Sequence, residues 1–310
     1  MQAFLRMMIG GLLFMTLGSC TTPDPLPPWF DSLERLPLKS VMVGGQRIAY
    51  LDHGQGPPVL LIHGFGGSMW QWEHQQSALA TRFRVITPDL LGAGLSDKPE
   101  IEYRPDQLLE FLTGFLDALQ IPQAAIVGNS MGAGLAIGLA LDHPDRVSSL
   151  ILIDGLPPDV LAHLGSPSLR RALTTQAPSW LVSVGNWLFG GRMLESTLRE
   201  FVHDPVLLTP AVLDRSNRNR QRPGLFRALL TIGTNLPLWE RDFAPRIGAL
   251  TQRTLILWGE EDRVFPVKTG TLLHELIPKS TFIAIPQAAH IPQWEQPDLV
   301  NPHLLRFLQP

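Results

Sequence analysis

A mostly parallel, doubly wound α/β sheet with an inserted helical segment is the fold class that this 310-residue sequence predicts. Two observations carry the prediction. Short apolar runs recur along the chain at Val59 to Ile62, Arg84 to Thr87, Ala124 to Val127, Ser149 to Ile153 and Thr254 to Trp258, each closing on a glycine- or aspartate-containing loop. Runs without polar alternation belong to strands buried on both faces, which is how parallel strands sit beneath helices. Between them, Leu108, Leu112, Phe115 and Leu119 fall at helical spacing. In sheets of this kind ligands bind outside the carboxyl ends of the strands.

The first element is an address rather than part of the fold. Arg6 precedes an uncharged apolar stretch, Met7 to Leu17, which is shorter than the about 20 residues that span a bilayer and has the length of a signal-peptide core. Its end, Leu17-Gly18-Ser19-Cys20, resembles the lipobox of bacterial lipoproteins. The resemblance implies that residues 1–19 are removed and that Cys20 is lipidated, holding the protein at the bacterial cell envelope, on the periplasmic or outer-membrane face. Cys20 is the one cysteine, so no internal disulfide is available. The stretch TTPDPLPPWF that follows has four prolines in ten residues, and residues 20–37 read as a semi-rigid tether.

The body starts near Leu38. Lys39 to Val43 and Arg47 to Asp52 flank Gly44-Gly45, a hairpin signal. Residues 38–155 and 249–310 are assigned to the core, with late elements at Lys268 to Ile277 (helix) and Thr281 to Ile285 (strand). The strand pattern lapses over 156–248, which is assigned to a helical cap. There Trp180, Val184, Trp187 and Leu188 share one helical face, which fits a pocket for an acyl chain, a lid facing lipid, or simple packing on the core. Trp70 and Trp72 carry the same ambiguity. Five arginines between Arg215 and Arg227, with no acid among them, suit a solvated face or anionic head groups. The overall balance of 25 basic against 28 acidic residues leaves no footprint for nucleic acid.

The chemistry gathers at strand ends. After Val127 comes Gly128-Asn129-Ser130-Met131-Gly132, then small residues opening a helix, the G-x-S-x-G pattern of a sharp strand-to-helix turn presenting a serine. With His63-Gly64-Phe65-Gly66-Gly67, the Asp89 to Ser96 loop, Gly259 to Pro266 and Ala289-His290 in this order, the chain resembles alpha/beta-hydrolases of the esterase and lipase type. The resemblance implies a serine, acid, histidine triad in that chain order. Ser130 is the nucleophile; of His274, His290 and His303, which follow the acid, His290 is the base, since His274 lies inside a helix and His290 follows the strand Thr281 to Ile285 by a short loop. Asp262 is the favoured acid. Asp154, at a strand end that some members use, is its chief rival, and Glu260 and Glu261 lie close by. The backbone N–H groups of Phe65 and Met131 are the expected oxyanion hole. His63 reads as holding its loop and Asp89 as a turn former.

A serine at the elbow speaks against dehalogenase and epoxide-hydrolase chemistry, which in this family uses aspartate. The expected activity is cleavage of a small carboxylic ester with an apolar acyl group, with Trp70, Trp180 and Trp187 as pocket candidates, and with no metal or cofactor. Carbon–carbon bond hydrolysis, a haloperoxidase-like reaction and a non-catalytic binding lipoprotein are the alternatives.

Overall fold

The apolar runs form strands because successive side chains point to opposite faces of one sheet and each face has its own cover. The structure, a computed structural model, describes residues 38–174 and 179–309. Its strands are β1 (Leu38–Val43), β2 (Gln46–His53), β3 (Pro58–Ile62), β4 (Arg84–Pro88), β5 (Ala124–Asn129), β6 (Val147–Ile153), β7 (Thr254–Gly259) and β8 (Ser280–Ile285). They lie in the order β1-β2-β4-β3-β5-β6-β7-β8. β1 and β2 pair antiparallel to their neighbours and the rest of the sheet is parallel. Gly44 and Gly45, with φ of 55° and 81°, make the two-residue turn between β1 and β2, where both central residues need positive φ.

The helices are α1 (Glu73–Leu79), α2 (Pro105–Ala118), α3 (Met131–Asp142), α4 (Val160–His163), α5 (Pro167–Thr174), α6 (Ser179–Phe201), α7 (Pro210–Arg220), α8 (Leu225–Thr234), α9 (Leu236–Asp242), α10 (Val267–Leu276), α11 (Pro292–Glu295) and α12 (Pro297–Leu308). Leu60, Ile62, Ile126, Leu150, Leu152 and Ile256 point to one side of the sheet and pack with Phe115 of α2, Leu135 of α3 and Leu273 of α10. Their alternates Val59, Leu61, Val127, Ile151, Ile153 and Leu255 face the other side, with Leu79 of α1 and Val300 and Leu304 of α12. Double coverage explains why these runs lack polar alternation.

Helices α4 to α9 all fall between β6 and β7, in the segment whose strand pattern lapses. The face shared by Val184, Trp187 and Leu188 lies on α6, and all three side chains are exposed, Trp187 by 80%. Simple packing on the core is therefore not what that face does. Among the described residues no helix is long and apolar enough to cross a membrane.

The arginine-rich stretch is largely neutralised within the molecule. Arg218 pairs with Asp214 at 2.7 Å and Arg227 pairs with Glu100. Arg220 donates to Asn217 and Asn186. Arg215 is buried: it makes a two-pronged ion pair with Glu73 at 3.0 and 3.1 Å and lies 4.4 Å over the Trp70 ring, while Trp294 Nε1 donates to the same Glu73 at 2.7 Å. This cluster ties α7 to α1 and α11. Removing one partner of a buried pair strands the other charge, at a cost of about 3 to 5 kcal/mol. Glu73→Gln is expected to lower the urea unfolding midpoint accordingly, and an unchanged midpoint would show that the pair does not clamp this helix.

Candidate active site

Ser130 joins β5 to α3 with φ 54° and ψ −119°, a backbone region that costs a non-glycine residue about 1 to 3 kcal/mol. Neighbouring contacts hold it there. The Ser130 N–H donates to Ile153 O at 2.9 Å, and Ser130 O accepts from Ala133 and Gly134. A Cβ at Gly128 would strike the Gly132 carbonyl, and one at Gly132 would strike Ile62 O on the neighbouring strand. Both elbow positions therefore need glycine.

Across the C-terminal ends of the strands, His290 reaches the serine. Its Nε2 is 2.9 Å from Ser130 Oγ and its Nδ1 is 2.9 Å from Asp262 Oδ2. A carboxylate only accepts, so the proton on the imidazole sits at Nδ1 and Nε2 faces the serine hydroxyl as acceptor. Asp262 follows β7, and its Oδ1 accepts from Val264 N–H at 2.7 Å and Phe265 N–H at 3.1 Å. These bonds turn Oδ2 toward the ring. Phe201 and Phe265 stand edge-on to His290, with ring centroids 5.1 and 5.7 Å away. Both ring nitrogens are committed, which leaves His290 no lone pair for a cation.

The rival residues lie elsewhere or act differently. Asp154 is fully buried just after β6, its Oδ1 accepting from Gly259 N–H at 2.9 Å, while both ring nitrogens of His290 bond to other residues. Glu260 is exposed, and Glu261 accepts from Ala288 N–H at 3.1 Å. His274 bonds Ser280 at 2.6 Å on α10, and His303 is on α12. His63 is wholly buried, with Nδ1 donating to Gly64 O at 2.8 Å and Nε2 accepting from Leu90 N–H at 3.0 Å. Burial lowers its pKa, which keeps it neutral. Asp89 accepts from Met69 N–H and Leu95 N–H at 2.7 and 2.6 Å, bridging two loops.

The His63-Gly64 backbone runs against the nucleophile: a Cβ on Gly64 would lie 3.2 Å from the Ser130 Cβ. Gln71 and the Gly64–Gly67 turn fix this loop, through Gly64 N–H to Gln71 Oε1 at 2.9 Å and Gly67 N–H to Gly64 O at 3.1 Å. Among the described residues no protein acceptor takes the N–H of Phe65 or of Met131. The Met131 N–H is also at the start of α3, where unpaired amides carry partial positive charge. Segments of the cap close over this corner. Asn219 Nδ2 donates to Gly66 O at 3.3 Å, and Phe201 O accepts from His290 N–H at 3.0 Å. Ser130 is left 9% exposed.

Of the three tryptophan candidates for the pocket, Trp187 is corrected: it stands out from α6 toward solvent, too exposed to wall a cleft. Trp70 is packed edge-on against Trp294 at 6.2 Å under Arg215. The Trp180 side chain and Cys20 lie outside the described residues. Phe201, Phe265, Asn129 and Glu295 also stand at this site. Asn129 Nδ2 donates to the carbonyls of His290 at 3.1 Å and Ile153 at 3.2 Å. Glu295 accepts from Ala289 N–H at 2.8 Å and His203 N–H at 2.5 Å, stapling the His290 loop to the chain leaving α6, and its burial pushes its pKa up to about 7. Only the x of G-x-S-x-G marks Asn129; no spacing rule marks the other three.

A doubly wound sheet with this serine, histidine and aspartate at its carboxyl edge defines the class of alpha/beta-fold hydrolases. Residues 57–297 match the alpha/beta hydrolase fold family, and the chain belongs to it. It is 31% identical, over 84% of its length and 91% of the relative's, to a 2-hydroxy-6-oxo-6-phenylhexa-2,4-dienoate hydrolase of Burkholderia cepacia. The crystal structure of a meta-cleavage product hydrolase from Pseudomonas fluorescens superposes with a TM-score of 0.75 at 29% identity, covering 88% of this chain and 98% of that one. The structure of a membrane phospholipase A, described as a bacterial virulence factor, superposes with a TM-score of 0.73 at 26% identity, over 98% of this chain and 95% of the other.

With Asp262 holding the ring tautomer, Asp262→Asn is expected to lower kcat by about 10⁴-fold with little change in KM. Turnover within tenfold of wild type, measured with any hydrolysable substrate, would remove Asp262 from the triad.

Proposed function

We propose that the protein is a serine hydrolase acting through Ser130, His290 and Asp262, and that its substrates are ketones cleaved at a carbon–carbon bond. The observation that carries the mechanism is the unbroken 2.9 Å relay from Asp262 to His290 to Ser130. What supports the substrate class is that relatives matching most of both chains act on hydroxy-oxo-dienoates and related semialdehydes. This ranks above the ester reading that the motifs favoured, since those motifs serve either chemistry.

In the proposed reaction His290 Nε2 takes the Ser130 proton as Oγ attacks the carbonyl carbon. The oxyanion forms beside the Phe65 and Met131 amides, each such donor being worth about 3 kcal/mol in the transition state. Collapse breaks the adjacent bond, the leaving group departs with its electron pair, and the imidazolium supplies its proton. Water then enters, loses a proton to His290 and releases the acid from Ser130. A carbon leaving group departs only as a delocalised enolate, so a hydroxy-dienoate must first lose its enol proton and gain one at the carbon next to the attacked ketone, which gives a 2-oxo form whose carbonyl takes up the departing electron pair. Phe201 and Phe265 beside the ring suit an aryl or alkyl substituent on the attacked ketone.

Ester hydrolysis is the second reading. It is favoured by the match to a membrane phospholipase A across 98% of this chain, longer than the 88% matched to the meta-cleavage product hydrolase. Kinetics on 6-phenyl- and 6-alkyl-2-hydroxy-6-oxohexa-2,4-dienoates, on nitrophenyl esters of increasing acyl length and on phosphatidylcholine separate the two. The expected result is kcat/KM at least about tenfold higher on a dienoate than on the best ester, falling by about 10⁶-fold in Ser130→Ala. Turnover of esters or phospholipid alone would move the assignment to the second reading, and equal turnover by Ser130→Ala would remove the serine mechanism.

We also propose that Cys20 is the lipid attachment point, with the proline-rich segment as tether to the cell envelope. Labelled palmitate is expected to enter the full chain and not Cys20→Ser. An unlabelled wild-type chain would rule out the anchor.

A further inference from the structure

Asp154 directly follows β6 with φ 43°, its N–H donating to Leu257 O at 3.0 Å and its Oδ1 accepting from Gly259 N–H at 2.9 Å. Its other oxygen, Oδ2, is buried and receives no donor. One carboxylate oxygen from Asp154, one from Asp262 and a ring nitrogen of His290 lie within 4.8 Å of one another, with all three side chains buried. Two carboxylates that close in a dry site cannot both ionise. The donors decide which keeps the charge. Asp262 faces two backbone N–H groups and the His290 ring, whereas Asp154 faces one backbone N–H.

We propose that Asp154 is a protonated carboxylic acid whose Oδ2–H donates to the Asp262 carboxylate, making it a positioning residue for the triad. Burial, and then the charge of Asp262, hold the Asp154 pKa well above the usual carboxylate range, with Glu295 adding a smaller push in the same direction. The charged and titratable groups facing it are Asp262, His290 and Glu295. The donated bond does two things. It gives Asp262 a third donor besides the His290 ring, so that Oδ2 stays aimed at His290 Nδ1. It also draws charge from that carboxylate, which loosens its hold on the imidazolium formed during turnover. An ionised Asp154 would do the reverse, adding a second negative charge beside the ring. The inference rests on Asp262 being the triad acid.

Infrared difference spectra test the protonation without any substrate. At pH 7 the wild-type chain is expected to show the carbonyl stretch of a buried carboxylic acid, shifted in heavy water, and Asp154→Asn is expected to lose it. Glu295, pushed up to about 7, contributes a similar band, and only the part lost in Asp154→Asn belongs to Asp154. In kinetics Asp154→Ala is expected to lower kcat about tenfold and to raise the acid limb of the kcat/KM profile by about half a pH unit, the scale of one lost hydrogen bond. Asn keeps both an acceptor for Gly259 and a donor for Asp262, and it is expected to recover most of the kcat and return the limb toward its wild-type position. A wild-type spectrum without the band, a band that survives in Asp154→Asn, or an acid limb that falls by a unit or more in Asp154→Asn would overturn the proposal. Because the spectra need no turnover, failure of the substrate assignment cannot be mistaken for failure of this one.

Discussion

Everything at the carboxyl edge of the sheet depends on the backbone of Ser130. Its φ of 54° and ψ of −119° put the hydroxyl above the strands rather than within them, and the strain is borne by contacts on all sides: the Ile153 carbonyl on β6, the Ile62 carbonyl on β3 and the first turn of α3. Because β5 is flanked on both sides by parallel strands, those carbonyls stand in register with it and leave the turn little other geometry. The His63-Gly64 loop at the end of β3 then passes close enough to bring its amides to the same spot.

The partners of the serine arrive from strands added later along the chain. β7 supplies Asp262 and β8 leads to His290, so the relay spans three loops that meet because their strands are neighbours or near neighbours in one sheet. Asp262 is turned by backbone donors, whereas the His290 loop is held by one backbone carbonyl and by two side chains. Val264 and Phe265 amides orient Asp262, the Phe201 carbonyl and the Asn129 amide hold the His290 backbone, and Glu295 braces the loop from below. Asp154 lies within the same buried space, and the imbalance in donors between the two aspartates is what separates a charged acid from a neutral one.

The cap meets this machinery through both polar and apolar contacts: the Phe201 ring stands against His290, and Leu225, Ala228 and Trp239 join the core. Asn219 reaches the Gly64–Gly67 turn, the end of α6 reaches His290, and Arg215 with Glu73 locks α7 onto the core. The outward face of α6, with Val184, Trp187 and Leu188 exposed, shows that apolar spacing on a helix states only that a face exists, not what it meets.

Local chemistry was enough for most of the fold and for singling out the serine and histidine that the sheet brings within 2.9 Å of each other. Continuous apolar runs specify doubly covered strands, Gly44-Gly45 specifies its turn, and Gly128 and Gly132 admit the elbow, since each of these is a property of a few adjacent residues. The acid was legible only as a short set of rivals, because Asp154 and Asp262 both follow buried strands and differ in nothing that a few residues can express. Their roles were decided by tertiary structure: the placement of β8 beside β7, which sets His290 against Asp262, and the number of backbone N–H groups aimed at each carboxyl. Phe201, Asn129 and Glu295 were hidden for the same reason, as was the Arg215–Glu73 clamp, whose partners are 142 residues apart. The sequence by itself determined which strands and turns exist and that a serine stands on one of the turns. Only the packed sheet decided which distant charges share its low-dielectric edge, because that energy depends on separation in space.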